Sequence, residues 1–202
     1  MLLFRRRTEF VAALGVLLLI VGFSSPTSFG QQIIQRGPLG KPERVLDETQ
    51  EWSTPLLVAS DREVSMYIPD VTSPEWLKRN YRDFEDKGQY VVSMFTLYKT
   101  PAACKANQVA WGYGTGEHLK ACNEIGYRLR QASINTHLKT ATLIMAAMIG
   151  HDGQIRPDSI EHEAITRTWA DLDANTRTAL ERATALVLQQ MRAYDLKMKD
   201  LH

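Results

Sequence analysis

The chain has 202 residues and a nearly balanced charge, with 24 Lys or Arg against 23 Asp or Glu and a formal net charge of +1. Such a balance gives no electrostatic basis for binding nucleic acid or an anionic membrane surface, so we expect neither partner. The sequence also lacks the GxSxG, HExxH, CxxC and CxxCH patterns, which leaves an enzymatic assignment without a motif.

Residues 1–30 have the three-part pattern of a secretory signal peptide. Three arginines at positions 5–7 precede an apolar run, Val11–Phe23, and a small, polar, proline-broken stretch ends at Gly30. The apolar run of about 13 residues is shorter than the roughly 20 that span a bilayer. We therefore favour a leader cleaved after Gly30 over a retained membrane anchor.

Cleavage leaves 172 residues and changes the formal charge from +1 to −1. This length suits one domain with a substantial core and is short for two. Residues 31–53 are rich in Gln, Gly and Pro and are predicted to form a flexible arm, followed by a single domain over residues 54–202. We predict an exported protein, periplasmic or secreted, whose only membrane contact is through the signal peptide.

The predicted domain begins with a small hairpin and a capped helix. Pro55–Ser60 and Glu63–Ile68 have the β-branched and aromatic content of strands and are separated by a two-residue turn. Ser73 followed by Pro74 is typical of a helix N-terminus. Apolar residues then recur at helical spacing as far as Gly88, which predicts a helix over this segment.

The central part of the chain is predicted to be helical, with one ambiguous segment. Gln89–Lys99 fits either a strand or a helical face. Thr100 and Pro101 repeat the cap-and-proline pattern and predict a short helix. A longer helical stretch is predicted from about Glu117 into the very apolar run Leu138–Ile149, which has the length of a buried core helix.

The only two cysteines, Cys104 and Cys122, fall on these two predicted helices. In an oxidising compartment an even pair is most simply one disulfide, and we expect it to staple the helices into a hairpin. A bridge closing a loop of this size stabilises a fold by about 3 kcal/mol on the chain-entropy model. A soft metal held by reduced thiols and His118 is the alternative, but export favours the disulfide, and we predict no metal or cofactor.

Two further helices are predicted near the C-terminus. Asp158 and Glu161 fit an N-terminal capping box for the first, and the second begins at Asp173. The last helix carries an apolar seam with the spacing of a coiled coil, formed by Leu180, Thr184, Val187, Met191, Tyr194, Met198 and Leu201. The resulting fold class is mainly α, with about four to five helices and one small β-hairpin.

Two loops resemble ligand-binding motifs but lack their essential residues. Gly112–Gly116 precedes a predicted helix as a phosphate loop does, without the preceding strand or the lysine. Asp152–Ile155 resembles the centre of a calcium-binding loop, but Met148 and Ser159 stand where the terminal carboxylates are needed. We interpret both segments as turns.

The sequence favours a binding or accessory protein of the cell envelope. Its expected partner is a protein that docks on the far end of the last helix, through Met191, Tyr194, Met198 and Leu201, while the first half of that helix packs in the core. The alternatives are a small exported hydrolase and an inhibitor or immunity-type protein. The candidate catalytic residues are His162 with the neighbouring Glu161, or His118 near Tyr113.

Overall fold

Strands form most of the framework in the computed structural model of the chain, which describes residues 32–37, 40–47, 51–110 and 116–199. They build one three-stranded and one six-stranded sheet, and every strand pair is antiparallel. The prediction of a mainly α domain with four to five helices is therefore wrong. The predicted signal peptide lies outside the described residues.

The smaller sheet consists of β1 (Ile34–Arg36), β2 (Pro42–Leu46) and β3 (Trp52–Ser53). Ile34 and Val45 are completely buried because this sheet packs against one face of the larger one. The described residues of the segment predicted as a flexible arm thus form strands instead. Although the segment is rich in Gln, Gly and Pro, it contains a few apolar residues whose burial is sufficient to anchor it.

The larger sheet is a meander in which the strands follow one another in chain order. Its strands are β4 (Leu56–Ser60), β5 (Val64–Ile68), β6 (Gln89–Tyr98), β7 (Ile125–Asn135), β8 (Thr140–Gly150) and β9 (Glu161–Thr168). The pair β4–β5 confirms the predicted hairpin, and the segment that fitted either a strand or a helix forms β6. The sheet has two edges, β4 and β9.

The helices are α1 (Pro74–Lys87), α2 (Pro101–Ala110), α3 (Gly116–Ala121) and α4 (Ala174–Lys199). Three of the helix N-termini predicted from the sequence, at Ser73, Thr100 and Asp173, are confirmed. Ser73 Oγ accepts from the N–H of Trp76 at 3.2 Å, and Thr100 Oγ1 accepts from the N–H of Ala103 at 3.1 Å. Asp173 begins α4 in the same way, since its carboxylate accepts from the N–H of the residue three positions on at 2.9 Å.

The two long helices, α1 and α4, cover one face of the larger sheet, here called the helix face. Trp76 of α1 and Leu180 and Val187 of α4 are completely buried there against Val92 and Ile134. The opposite face packs against β1 and β2. Successive residues of a strand point to opposite faces, so β6 to β8 supply side chains to both layers.

The helix predicted over Leu138–Ile149 is wrong, because this run is mostly β8. A strand buried on both faces reads as a continuous apolar run, which periodicity cannot distinguish from a buried helix. Residues 125–135, which were also predicted to be helical, form β7, and this error has another cause. Tyr127 and Leu129 of β7 face one layer while Arg128 and Arg130 face the other, and the apolar residues alone mimic a helical spacing.

The helix predicted from Asp158 is also wrong. Pro157–Ser159 forms a single 3₁₀ turn, and Glu161 opens β9 instead of completing a capping box. Strand β9 is paired with β8 over most of its length, with Arg167 opposite Ala141. Tertiary pairing therefore overrides a local pattern of helix-starting residues.

Cys104 and Cys122 lie at disulfide-bonding distance, with Sγ atoms 2.05 Å apart and Cα atoms 5.6 Å apart. Both side chains are buried, and the bridge joins α2 to the residue that follows α3. The predicted staple is confirmed, although the chain turns into β7 after it instead of continuing as a long helix. Such a bridge is typical of an oxidising, exported compartment. Among the described residues, no helix has the length and apolar character needed to cross a membrane.

Candidate ligand-binding site

A cavity of about 110 Å³ lies on the helix face, between the start of α4 and the β7–β9 side of the larger sheet. Its floor consists of side chains from four strands, namely Met94, Arg130, Ala132, Ala141, Leu143, Ile165 and Arg167. Leu172, Thr176 and Leu180 form its roof. The lining is thus mainly apolar with two arginines, a composition common in small-molecule sites.

The cavity exists because α4 lies along the β4 side of the sheet. Arg182 of α4 reaches the backbone of β4, so the covered part of the sheet is displaced from β8 and β9. The floor there carries the small side chains of Ala132 and Ala141, which leave space that larger residues would fill. Ile165 is 42% exposed, and the cavity therefore opens towards the β9 edge.

The two arginines lie at opposite ends of the cavity. Arg130 of β7 is only 2% exposed and donates to Asn107 Oδ1 of α2 at 3.1 Å. Arg167 is exposed on β9, in the same cross-strand row as Ala141 and Ile134. The row that contains Arg130 and the row that contains Arg167 are four residues apart along β7, or about 13 Å at the usual strand rise. A guanidinium group at each end suits a ligand that carries a carboxylate.

A buried polar cluster adjoins the inner end of the cavity. Arg128 is 2% exposed, its Nη2 lies 3.3 Å from Glu161 Oε2, and its Nη1 donates to Gln108 Oε1. Tyr98 donates its hydroxyl to Asn107 Oδ1 at 2.8 Å. Burial raises the pKa of Tyr98 above its ordinary value, and the nearby Arg130 and Arg128 partly oppose this shift. The cluster connects α2 to β7 and β9 and keeps positive charge beside the cavity.

Glu161 and His162, the first catalytic candidates from the sequence, do not act on one site. They are consecutive residues of β9 and therefore point to opposite faces of the sheet. Glu161 bonds to Arg128 on the helix face, whereas His162 lies opposite Met145 and is exposed. A helix would have brought them closer, and the strand separates them.

The other catalytic candidate, His118 near Tyr113, lies partly outside the described residues. His118 belongs to α3, but its side chain is not among those described, and Tyr113 and the rest of the segment 111–115 also lie outside the described residues. Within the described ranges, no group of three or more His, Cys, Asp or Glu residues could hold a metal ion.

The apolar seam of the last helix packs inside this chain for most of its length. Leu180, Thr184 and Val187 are buried, as predicted for the first half, but Met191 is also buried at 3% exposure. Tyr194 packs on Tyr81 of α1, with ring centroids 5.0 Å apart. Met191 thus packs in the core of this chain. The side chain of Met198 and all of Leu201 lie outside the described residues, so docking through them stays a prediction.

Sequence reasoning missed Arg130 and Arg167 as site residues, because both lie in segments predicted to be helical. The usable signal is the alternation in β7, where Arg128 and Arg130 interleave with Tyr127 and Leu129. An alternating pattern of this kind favours a strand with one apolar face and one charged face.

Comparison of the chain with protein-family models, with curated proteins and with solved structures finds no match. The residues and geometry of the chain itself are therefore the basis for assigning a function.

Proposed function

We propose that the protein is an exported binding protein whose ligand places an apolar group in the cavity beneath α4 and a carboxylate on an arginine at its end. One observation carries this proposal: an apolar cavity opens at the surface with Arg130 and Arg167 at its two ends. The sequence expectation of an envelope binding or accessory protein is kept, while the site moves from the far end of α4 to its beginning.

The chemistry of the lining supports binding over catalysis. Among the described residues that line the cavity, Thr176 carries the only hydroxyl, and it donates to Asp173 at 2.6 Å. No carboxylate or imidazole belongs to that lining. Arginine stays protonated at physiological pH, so the two guanidinium groups can hold an anion but are poor acids and bases.

The size of the cavity limits the group that enters it. Sites for drug-sized ligands have about 300–1,000 Å³, so a cavity of about 110 Å³ suits one short acyl chain or one apolar side chain. The disulfide Cys104–Cys122 and the predicted signal peptide support a location outside the cytoplasm.

Titration of hexanoate into the protein recovered after export tests the proposal. We expect saturable binding by calorimetry, weaker binding of hexanol, which lacks the carboxylate, and weaker binding of acetate, which lacks the chain. Arg167→Gln should weaken hexanoate binding by about tenfold or more, since a hydrogen bond to a charged group contributes about 1.5–3 kcal/mol.

Arg62→Gln is the matched control, because Arg62 is an exposed arginine in the β4–β5 turn and loses the same charge. It should leave hexanoate affinity unchanged. Equal weakening by the two substitutions would indicate a general charge effect, and absence of hexanoate binding to the unmodified protein would contradict the proposal.

A further inference from the structure

We propose that β9 accepts an extended peptide segment of a partner protein as a seventh strand, with one apolar side chain in the cavity and one carboxylate on Arg167. This inference rests on the proposed function, because it uses the same cavity, and it adds the class of ligand. The ligand is a peptide in which an acidic residue precedes an apolar residue by two positions.

The first support is the open edge. Strand β9 is the last strand of the larger sheet, and within the described residues it is hydrogen-bonded to no strand except β8. An edge of this kind presents a row of backbone N–H and C=O groups that can pair with another chain. Addition of a strand to such an edge is a common way in which proteins bind extended peptides.

The second support is the direction of the backbone groups. The N–H of Trp169 donates to the C=O of Lys139 at 2.9 Å, just past the β8–β9 pairing. Backbone groups alternate in direction along a strand, so those of Ile165 and Arg167 point towards β8. Those of Thr166 and Thr168 point away from the sheet, where an added strand would bond.

The third support is the position of the cavity beside that edge. Ile165 and Arg167 are two residues apart and both line the cavity, so they lie on the same face of β9. A strand added to β9 places every second side chain on that face. One of these side chains would lie beside Ile165 at the cavity mouth and the next beside Arg167.

These positions define the peptide. An apolar side chain fits the apolar floor beside Ile165, and an acidic side chain complements Arg167. Antiparallel pairing, the more frequent kind, reverses the order, so the acidic residue comes two positions before the apolar one. The charge of the site thus commits the proposal to an acidic, alternating segment rather than to any extended chain.

A second copy of this chain is the main rival occupant. Glu163 precedes Ile165 by two positions, so β9 itself matches the proposed peptide pattern. Self-pairing predicts a dimer whose formation competes with the peptide. Sedimentation measurements with and without the peptide distinguish this outcome from binding of a separate partner.

The test uses a synthetic peptide, acetyl-Thr-Glu-Thr-Leu-Thr-Lys-amide, titrated into the protein recovered after export. We expect saturable binding that competes with hexanoate. Replacing the peptide Glu by Gln, or Arg167 by Gln in the protein, should weaken binding by about tenfold. Replacing the peptide Leu by Ser should have an effect of similar size.

Backbone methylation tests strand addition itself. Two peptides are compared, each with one N-methyl group, placed either on the Thr between Glu and Leu or on the Leu itself. Only one of the two N–H groups points towards β9, so one methylated peptide should lose binding and the other should keep it. Equal binding by both peptides would overturn strand addition.

A protein variant gives an independent measurement. Thr166→Pro removes an outward N–H but no backbone bond to β8, and edge strands tolerate proline. It also removes the side-chain hydrogen bond of Thr166 to Thr142 of β8, as the control Thr166→Val does. It should abolish peptide binding and retain hexanoate binding, while Thr166→Val should retain both. If Thr166→Pro unfolds the protein, the methylated peptides decide the question.

The two probes separate the two proposals. Binding of hexanoate without binding of the peptide would overturn strand addition and leave the proposed function standing. Failure of both would overturn both. A protein that is already dimeric through β9, and in which the peptide does not dissociate the dimer, would make a second copy the occupant and contradict the separate partner.

Discussion

The two edges of the larger sheet, β4 and β9, differ in what lies beside them. At β4, Arg182 of α4 donates to the C=O of Val58 at 3.0 Å, within a bulge of the strand. Asn175 donates its side-chain amide to Asp61 in the adjoining turn. At β9, the outer side of the strand is paired with no further strand among the described residues. One helix therefore closes one edge of the sheet and leaves the other edge open beside a cavity.

This difference indicates where function is to be sought. Proteins usually protect sheet edges, since exposed edges pair with other chains. The arginine on Val58 is such a protection, whereas β9, where Ile165 and Arg167 line a cavity, ends the sheet with no further strand among the described residues. An open sheet edge next to an apolar cavity is the arrangement that the proposed binding of a strand requires.

The largest expected effect is a difference in stability between a substitution in the part of the sheet covered by α4 and one at the open β9 side. Val187 of α4 is completely buried against the sheet, so Val187→Asp buries an unpaired charge and should lower the free energy of unfolding by about 3–5 kcal/mol. Ile165→Asp, at the open side, should cost less than about 1 kcal/mol. Urea unfolding of both variants measures the difference, and equal losses would contradict it.

The disulfide holds α2 in place, and α2 supplies the hydrogen-bond partners Asn107 and Gln108 of the buried arginines beside the cavity. Its cysteines are separated by 18 positions, and Cys122→Ala should lower the free energy of unfolding by about 3 kcal/mol. Calorimetric unfolding with and without reductant measures this loss. A variant as stable as the unmodified protein would show that the bridge contributes nothing.

The ion pair between Arg128 and Glu161 comes next in size. Removing one partner of a fully buried pair costs about 3–5 kcal/mol, but the Glu161 side chain is 21% exposed, so we expect about 2 kcal/mol for Glu161→Gln. Arg128→Met in the same chain should restore part of this loss. A double-mutant cycle on unfolding free energies measures the coupling, and additive effects would argue against it.

Arg182→Met should open the closed edge. The variant loses one hydrogen bond to the carbonyl of Val58, which should cost about 1 kcal/mol of unfolding free energy. It should also increase self-association through β4, which light scattering at rising protein concentration detects. Arg192→Met, at an exposed position further along α4, is the matched control and should change neither property.

The smallest expected effect is on the stability of the fold at acidic pH. The N–H of Val64 donates to the Asp61 carboxylate at 2.7 Å and, with the Asn175 amide, holds the pKa of Asp61 below its ordinary value. A lowered folded-state pKa stabilises the fold above about pH 4 and stops doing so as pH falls through the folded-state value. Asp61→Asn should flatten this part of the stability profile between pH 5 and pH 2. An unchanged profile would show that the contacts of Asp61 with Val64 and Asn175 do not stabilise the fold.

Local signals in the sequence predicted the parts of the fold that depend on local chemistry. Ser73, Thr100 and Asp173 each place a side-chain oxygen over free N–H groups, and all three begin helices. The pairing of Cys104 with Cys122 followed from their number and from the predicted export. These features need no knowledge of distant parts of the chain.

Apart from the β4–β5 hairpin, the larger sheet and the site depend on contacts between distant parts of the chain and were not predicted. The second half of β8, residues 146–150, is buried on both faces because layers from distant parts of the chain cover it, so its local sequence resembles a buried helix. Arg130 and Arg167 meet at one cavity only because β7, β8 and β9 pair in register. No spacing along the chain relates these two arginines, and the candidate site could therefore not be predicted.

Residue-resolved amide hydrogen exchange with the acidic peptide tests the central claim most directly, that the open β9 edge beside the cavity is the binding surface. In the free protein, the amides of Thr166 and Thr168 should exchange faster than those of Ile165 and Arg167, which point towards β8. Peptide at saturation should slow Thr166 and Thr168 and leave β4 unchanged. Protection that appears at β4, or nowhere on β9, would contradict the claim.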